Sequence, residues 1–186
     1  EEWTGAGAPV GAWSTGGNMN TARRDMGGTG TTTATLGFGG ETAPGSTTAV
    51  NELYNGTNWT EVNDLNQARR GLEGAGIATA ALAFAGFEPP STGKTESYNG
   101  TNWTELNDMN TARYTTAIIA NVETWNGTNW TEVADVNQGR IQLGAAGTST
   151  SAVAFGGRYP VSSRVTSTEI WNGSNWTEVN NMNTAR

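Results

Sequence analysis

The 186-residue chain has no histidine and no cysteine, and these two absences remove much of the chemistry open to a protein. Without imidazole or thiolate there is no zinc centre of the usual kind and no Ser-His-Asp nucleophile. A disulfide framework is excluded as well. Basic residues are scarce, 10 Lys and Arg against 17 Asp and Glu for a net charge of −7, with no basic cluster to override it locally. That balance repels a phosphate backbone, so nucleic acid is not an expected partner. No apolar run approaches the roughly 18 residues that cross a bilayer as a helix, and membrane insertion is not expected. The opening EEWTGAGAPV has neither the basic nor the apolar region of a signal peptide. Because the sequence starts at Glu1, an upstream segment is expected, which leaves export open.

The residues that are present point to strands. With 26 glycines, abundant Thr and Asn and 35% hydrophobic residues, there is little material for amphipathic helices. Short Thr- and aromatic-bearing runs between turn signals suit an all-β fold.

The block YNGTNWTEVNDLNQAR, residues 54–69, recurs along the chain. Trp13, Trp59, Trp103, Trp130 and Trp176 mark its copies, each followed ten residues later by Arg23, Arg69, Arg113, Arg140 and Arg186. The steps between tryptophans are 46, 44, 27 and 46 residues. A period in the mid-forties implies stacked or radially arranged supersecondary units, each too small to fold alone. The expected division is a single array over 1–186: a divergent outer hairpin at 1–23, repeats at 24–69, 70–113 and 141–186, and an incomplete repeat at 114–140.

One unit reads as four short strands. The first lies in DMGGTGTTT and the second in ATLGFGG, where Ala34, Leu36 and Phe38 share one face. Ala80, Leu82, Phe84 and Ser151, Val153, Phe155 repeat the spacing, so this face is expected to be buried in every copy. The alternate Thr, Gly and Ala positions leave room for close approach by a neighbouring sheet. The third strand, AVNELY, joins the fourth at Trp59 through Asn55-Gly56, which supplies the positive φ of a hairpin turn. Each copy carries an aromatic pair five residues apart, as in Tyr54 and Trp59 or Trp171 and Trp176. Burying one such Trp removes about 200 Å² from water, an upper estimate near 5 kcal/mol per repeat. These pairs are therefore expected to hold the units together.

Four-stranded units with Gly39-Gly40 and Gly156-Gly157 after strand two, Ala85-Gly86 as a partial match, a strand-four Trp and an Arg opening the next unit resemble kelch repeats. The resemblance covers nearly the whole chain and implies a β-propeller of four-stranded antiparallel blades of about 46 residues. Lectin-type propellers share the period and the Trp-rich units, and sialidase-type turns share Gly-x-x-Trp but carry an Asp this chain lacks. The absence of His also excludes a copper centre like that of the kelch-type galactose oxidase. The Asn-Gly-Thr-Asn-Trp pattern is further similar to arrays in surface and tail-fibre proteins of marine phages and bacteria. That similarity implies an extracellular or virion-surface attachment module.

The third unit is short by 17 residues relative to its neighbour. Aligning Thr115–Ala120 with Thr79–Phe84, and Asn121–Trp125 with Lys94–Tyr98, predicts that residues are missing at Tyr114/Thr115 and at Ala120/Asn121.

Near-identical copies show where the sequence varies. The Asn-Gly turns scarcely change, whereas the second-to-third loops read ETAPGSTT, FEPPSTGK and RYPVSSRV. Loops on a rigid scaffold carry binding, so Phe87, Glu88, Lys94, Arg158, Tyr159 and Arg164 are the candidate partner-binding residues, for a protein or cell-surface glycan receptor. A homo-oligomer or a place in a larger assembly fits such a module. The tryptophans offer an alternative, a ring of glycan-stacking platforms, and solvent exposure would distinguish that role from packing. Eight Asn-x-Ser/Thr sequons formally permit glycosylation, although turn chemistry explains the Asn-Gly cases. The repeated arginines are expected to make internal ion pairs or to bond turn carbonyls. No catalytic residue, cofactor or metal site is expected. A hydrolase would need carboxylates converging in a central channel, but Glu61, Glu105, Glu132 and Glu178 recur at one repeat position, as structural residues do.

Overall fold

The computed structural model describes residues 15–114, 120–160 and 162–186, and every regular element among them is a strand. The first blade contains β1 (Gly27–Thr31) and β2 (Ala34–Phe38), then a small separate hairpin of β3 (Glu41–Ala43) and β4 (Ser46–Thr47), then β5 (Asn51–Tyr54) and β6 (Trp59–Val62). The second blade is β7 (Glu73–Ile77), β8 (Ala80–Phe84), β9 (Thr95–Tyr98) and β10 (Trp103–Glu105). In the third unit the described strands are β11 (Val122–Trp125) and β12 (Trp130–Val133). The last blade is β13 (Gly144–Thr148), β14 (Ser151–Phe155), β15 (Thr168–Trp171) and β16 (Trp176–Val179). Within each complete blade the four strands run antiparallel in sequence order, β1-β2-β5-β6 in the first. The four-stranded meander predicted for Arg23–Arg69 therefore forms; the β3–β4 hairpin inside its second-to-third loop is additional.

The outer hairpin is set by side chains as much as by backbone. Asn55 Oδ1 accepts hydrogen bonds from the backbone N–H groups of Thr57 and Asn58 at 3.0 and 2.9 Å. Gly56 takes a φ of +93°, a conformation open to glycine. This turn brings Tyr54 opposite Trp59 with ring centroids 5.1 Å apart. Tyr98 and Trp103, Trp125 and Trp130, and Trp171 and Trp176 repeat the pairing.

Blades pack with a direction. Leu36, Leu53, Phe38 and Val62 lie on one face of the first blade by register. They form one core with Ala81, Ala83, Tyr98 and Trp103 from the opposite-parity face of the second blade. The Phe38-bearing face of the first blade thus packs against a second blade whose facing strand two is built from Ala81 and Ala83. The same crowding appears nearer the axis, where a Cβ on Gly74 would stand 2.7 Å from the Phe38 ring and 2.8 Å from Gly28 O.

This geometry corrects the expectation that the Leu/Phe face is buried in every copy. Leu36 and Phe38 are fully buried, Leu82 and Phe84 are half-buried, and Phe155 is 36% exposed. The alternate positions Ala81, Ala83 and Ala154 are the buried ones in the later blades. The reason is contact: burial of this face requires a complete blade in front of it. The first blade has one, the second faces β11 and β12, and the last has none among the described residues.

In the third unit, the expected break at Tyr114/Thr115 lies outside the described residues. Val136 N–H donates to Ala120 O at 3.2 Å, as Leu65 does to Ala49 and Met109 to Gly93. Ala120 therefore occupies the lead-in to strand three, not the place of Phe84 in strand two. The register runs on unbroken from Ala120 into β11, which moves any missing stretch upstream of the expected Ala120/Asn121 junction.

Candidate functional site

The constant part of the repeat forms a clamp between units. Glu52, Glu96, Glu123 and Glu169 sit two residues before the strand-three aromatic, and each meets the Asn and Arg that close the preceding unit. Arg23 pairs with Glu52 at 3.0 Å and Arg140 with Glu169 at 2.9 Å, while Arg69 pairs with Glu96 and Arg113 with Glu123. Asn20, Asn66, Asn110 and Asn137 each donate a backbone N–H and a side-chain N–H to the same carboxylate, and the side chain also reaches the carbonyl of the strand-four Trp. Arg69 further donates to the carbonyls of Ala83 and Ala85 under β8. Burial pulls the Arg23 guanidinium below its ordinary range, and Glu52 offsets that pull. The arginines are thus internal ion-pair partners that bridge successive units. The sequence carries the signal in its constant Asn-x-x-Arg and Glu, but one unit alone does not show that they meet across a junction.

An outer latch accompanies the clamp. Asn63 Nδ2 donates to Asn102 Oδ1 at 2.8 Å, and Asn107 Nδ2 to Asn129 Oδ1 at 2.8 Å. The third unit has Ala134 at this position and lacks the donor.

The second-to-third loops lie beside the segments that link units. Arg24 pairs with Glu41, Arg70 with Phe87 and Ile141 with Arg158 as isolated bridges, the last two being equivalents in the second and last blades. Phe87 is half-buried: the Arg70 guanidinium lies 4.9 Å from its ring centroid and the Tyr114 ring 5.0 Å away. Lys94 pairs with Glu105, and that hydrogen bond raises its pKa. Glu88 is half-buried with no polar partner among the described residues. In the last blade Arg158 is tied to Ile141 by hydrogen bonds of 3.2 and 3.0 Å and bridges Arg164. Tyr159 is 45% exposed and Arg164 is exposed. Of the six candidates, Phe87, Lys94 and Arg158 are engaged in intramolecular contacts, while Tyr159 and Arg164 present their side chains to solvent. Phe87, Glu88 and Lys94 belong to the second blade and Arg158, Tyr159 and Arg164 to the last, so the six form two separate patches.

Sequence reasoning missed Glu41. Its backbone equivalents are Phe87 and Arg158, and it is buried under the first loop, accepting from Gly45 N–H and from Arg24 Nε. These two hydrogen bonds, the Gly45 one foremost, hold its pKa below the ordinary carboxylate range.

Among the described residues the tryptophans do not offer open platforms. Trp103 and Trp171 are buried, and Trp59, Trp125, Trp130 and Trp176 are half-buried. Phe38 and Phe84 cover Trp103 and Trp130, each with centroids 5.1 Å apart. The repeated outer acids stand directly across from the clamped ones, Glu61 opposite Glu52 and Glu178 opposite Glu169. Each such pair therefore has one carboxylate held by the clamp.

A cavity of about 410 Å³ lies between the second blade, the third unit and the last blade, walled mainly by Phe84, Ala120, Val122, Trp130, Leu143 and Trp176. Glu73 stands at its margin, where blades one and four have Gly27 and Gly144. Desolvation by the apolar walls pushes the Glu73 carboxyl above its ordinary pKa even though the side chain still reaches water. Arg113 and Arg140 also border the cavity, with their charges already paired to Glu123 and Glu169.

Repeated four-stranded antiparallel sheets joined in sequence order, with no helix among the described residues, define a β-propeller-like protein. In a structural comparison the chain is similar to the solved structure of YjhT with a TM-score of 0.70 and 8% sequence identity, over 92% of this chain and 69% of that one. At that identity the likeness is one of fold. No protein-family profile matches the chain, and no curated protein matches it in sequence.

Proposed function

We propose that the chain is a kelch-like β-propeller module without catalytic activity, serving attachment on a cell or virion surface as tail-fibre-like proteins do. The reading is carried by one contrast. Residues shared by all copies are consumed in holding units together, whereas residues that differ sit on the loops of one face, where Tyr159 and Arg164 are exposed. Invariant packing under variable loops is the arrangement of a scaffold that displays a recognition surface. The partner is a receptor protein or a cell-surface glycan approached through the second-to-third loops. Burial of the tryptophans supports packing as their role and favours loop recognition over a ring of stacked sugars.

The test is binding of the fluorescently labelled chain to an array of surface glycans and to intact marine bacterial cells, with Tyr159→Ala and Arg164→Ala compared against Glu178→Ala. Loss of binding in the two loop variants alone supports the reading. Equal binding by all three, or loss on substituting Glu178, overturns it.

A further inference from the structure

Three short ladders repeat on the loop face. In each, the residue after a closing arginine bridges the first residue of a second-to-third loop, which in turn faces a residue near the far end of that loop. The ladders are Arg24, Glu41 and Thr47 in the first blade, Arg70, Phe87 and Ser91 in the second, and Ile141, Arg158 and Arg164 in the last. Their equivalence is fixed by backbone bonds of 3.0, 2.9 and 3.0 Å, donated by the N–H groups of Thr48, Thr92 and Val165 to the carbonyls of Gly40, Gly86 and Gly157. Residues opposite one another in such pairs share a face, and the first two ladders show the contact that results. Arg24 Nε reaches Glu41 Oε2 at 3.1 Å, and the Arg70 guanidinium lies 4.9 Å from the Phe87 ring centroid. Each of these cations has a partner on its own ladder.

The last ladder differs in charge. Ile141 stands where the other two have arginine, and both loop positions are arginine. Tyr159 N–H donates to Ser163 O at 2.8 Å and Val165 N–H to Gly157 O at 3.0 Å. These bonds flank Arg158 and Arg164 and leave them as a non-hydrogen-bonded pair, the kind whose Cα atoms stand only about 4.5 Å apart. Like charges directly opposite repel. Neither guanidinium pairs with a carboxylate among the described residues. Residues 136–168 contain three arginines and no Asp or Glu, and of the three Arg140 is held by Glu169. Arg158 is half-buried and Arg164 exposed, so an anion arriving from solvent can reach both.

We propose that Arg158 and Arg164 form a binding site for an oxyanion carried on a sugar, the carboxylate of a uronic acid or the sulfate of a sulfated glycan. This rests on the attachment role given above and names the ligand class of the last-blade loop. Each planar guanidinium offers paired N–H donors that match two oxygens of one anion, and a bound anion offsets the repulsion between the two cations. The charge of the chain favours a glycan over an acidic protein. At −7 overall, the chain repels a large acidic partner, whereas one oxyanion on a sugar engages the two arginines alone.

Isothermal titration calorimetry of the full chain tests this, with a uronic-acid oligosaccharide, a sulfated oligosaccharide, a neutral oligosaccharide and an acidic peptide as probes. The variants are Arg158→Gln, Arg164→Gln and, as control, Arg24→Gln. An acidic sugar binds and the neutral one does not, and which of the two acidic sugars binds identifies the oxyanion. Both loop variants weaken binding roughly tenfold or more, and added salt weakens it further. Arg24→Gln removes the same charge from an arginine paired with Glu41 and leaves the affinity unchanged. Without ligand, Arg164→Gln melts no lower than the wild type because it relieves a repulsion, a result that a structural role for Arg164 would not give. Equal binding of neutral and acidic sugars overturns the proposal. So does an equal loss in Arg24→Gln, or binding of the acidic peptide alone. A wild type that binds none of the sugars yet attaches to cells through Tyr159 overturns the proposal and leaves the attachment role standing, whereas failure of both overturns the two together.

Discussion

Phe38 meets Trp103 of the next blade edge to face, with ring centroids 5.1 Å apart and planes inclined at 66°. Tyr98 packs on the same indole with its centroid also 5.1 Å away and its plane tilted by 39°. The junction is thus a cluster of three aromatic rings, one of which comes from a different unit. Truncating either Phe38 or Trp103 to Ala is expected to cost about 3–5 kcal/mol. The double variant should cost less than the sum by about 0.5–1.5 kcal/mol, the coupling of a well-placed aromatic pair. Urea denaturation of the four chains in the cycle measures this, and strictly additive losses would show that the rings do not interact beyond burial.

The clamp makes a second prediction about which arginine matters most. The Arg69 side chain is fully buried against Glu96, whereas that of Arg113 is 12% exposed beside Glu123. Removing one partner of a buried pair leaves an uncompensated charge, so Arg69→Met should destabilise by about 3–5 kcal/mol. Arg113 already reaches water in the folded chain, so its pair is the less enclosed of the two and Arg113→Met should cost less. Equal losses in thermal unfolding would mean that burial does not set the strength of these clamps.

Opposite pH responses are expected from two glutamates. Glu41 has a folded pKa held below its unfolded value of about 4.3. It therefore adds stability that is present above that value and is lost as pH falls through the folded pKa. Glu73 has a folded pKa raised by desolvation, so stability is greatest below about 4.3 and is lost as pH rises through the folded pKa. At neutral pH, Glu41→Gln should lower the melting temperature and Glu73→Gln should raise it, and both differences should shrink in acid. Differences that stay constant with pH would place the effects in packing rather than in charge.

Much of the fold was legible because the chain repeats its own experiment. Five tryptophans with arginines ten residues behind them define the unit, and Asn55-Gly56 defines its outer turn. Only local chemistry is needed for either. What one unit could not show is its neighbour. The alternation at Leu36 and Phe38 reads the same as that at Val153 and Phe155, yet the first pair is buried and Phe155 is not. Burial there depends on which blade stands in front. The clamp between Arg69 and Glu96 was hidden for the same reason, since its residues are 27 positions apart. The second-to-third loops were legible only as the stretches that differ between copies. Periodicity, however, gives no account of the irregular backbone that ties Phe87 to Arg70 and Arg158 to Ile141.

The directional packing makes one further demand, on two alanines in equivalent strands. Ala83 on β8 is fully buried in the core that contains Phe38 and Trp103. Ala154 on β14 is also buried, but it borders the cavity of about 410 Å³. Enlarging Ala83 to Leu forces extra methylenes into a filled junction and should cost about 1–3 kcal/mol or more. The same change at Ala154 directs them into open apolar space, where each buried methylene contributes about 0.8 kcal/mol. Ala154→Leu should therefore leave stability unchanged or higher. Comparing the two variants by urea denaturation separates close-packed from open junctions. Equal destabilisation would mean that the space beside Ala154 is not available to a side chain, and that the third unit meets the last blade as tightly as the first meets the second.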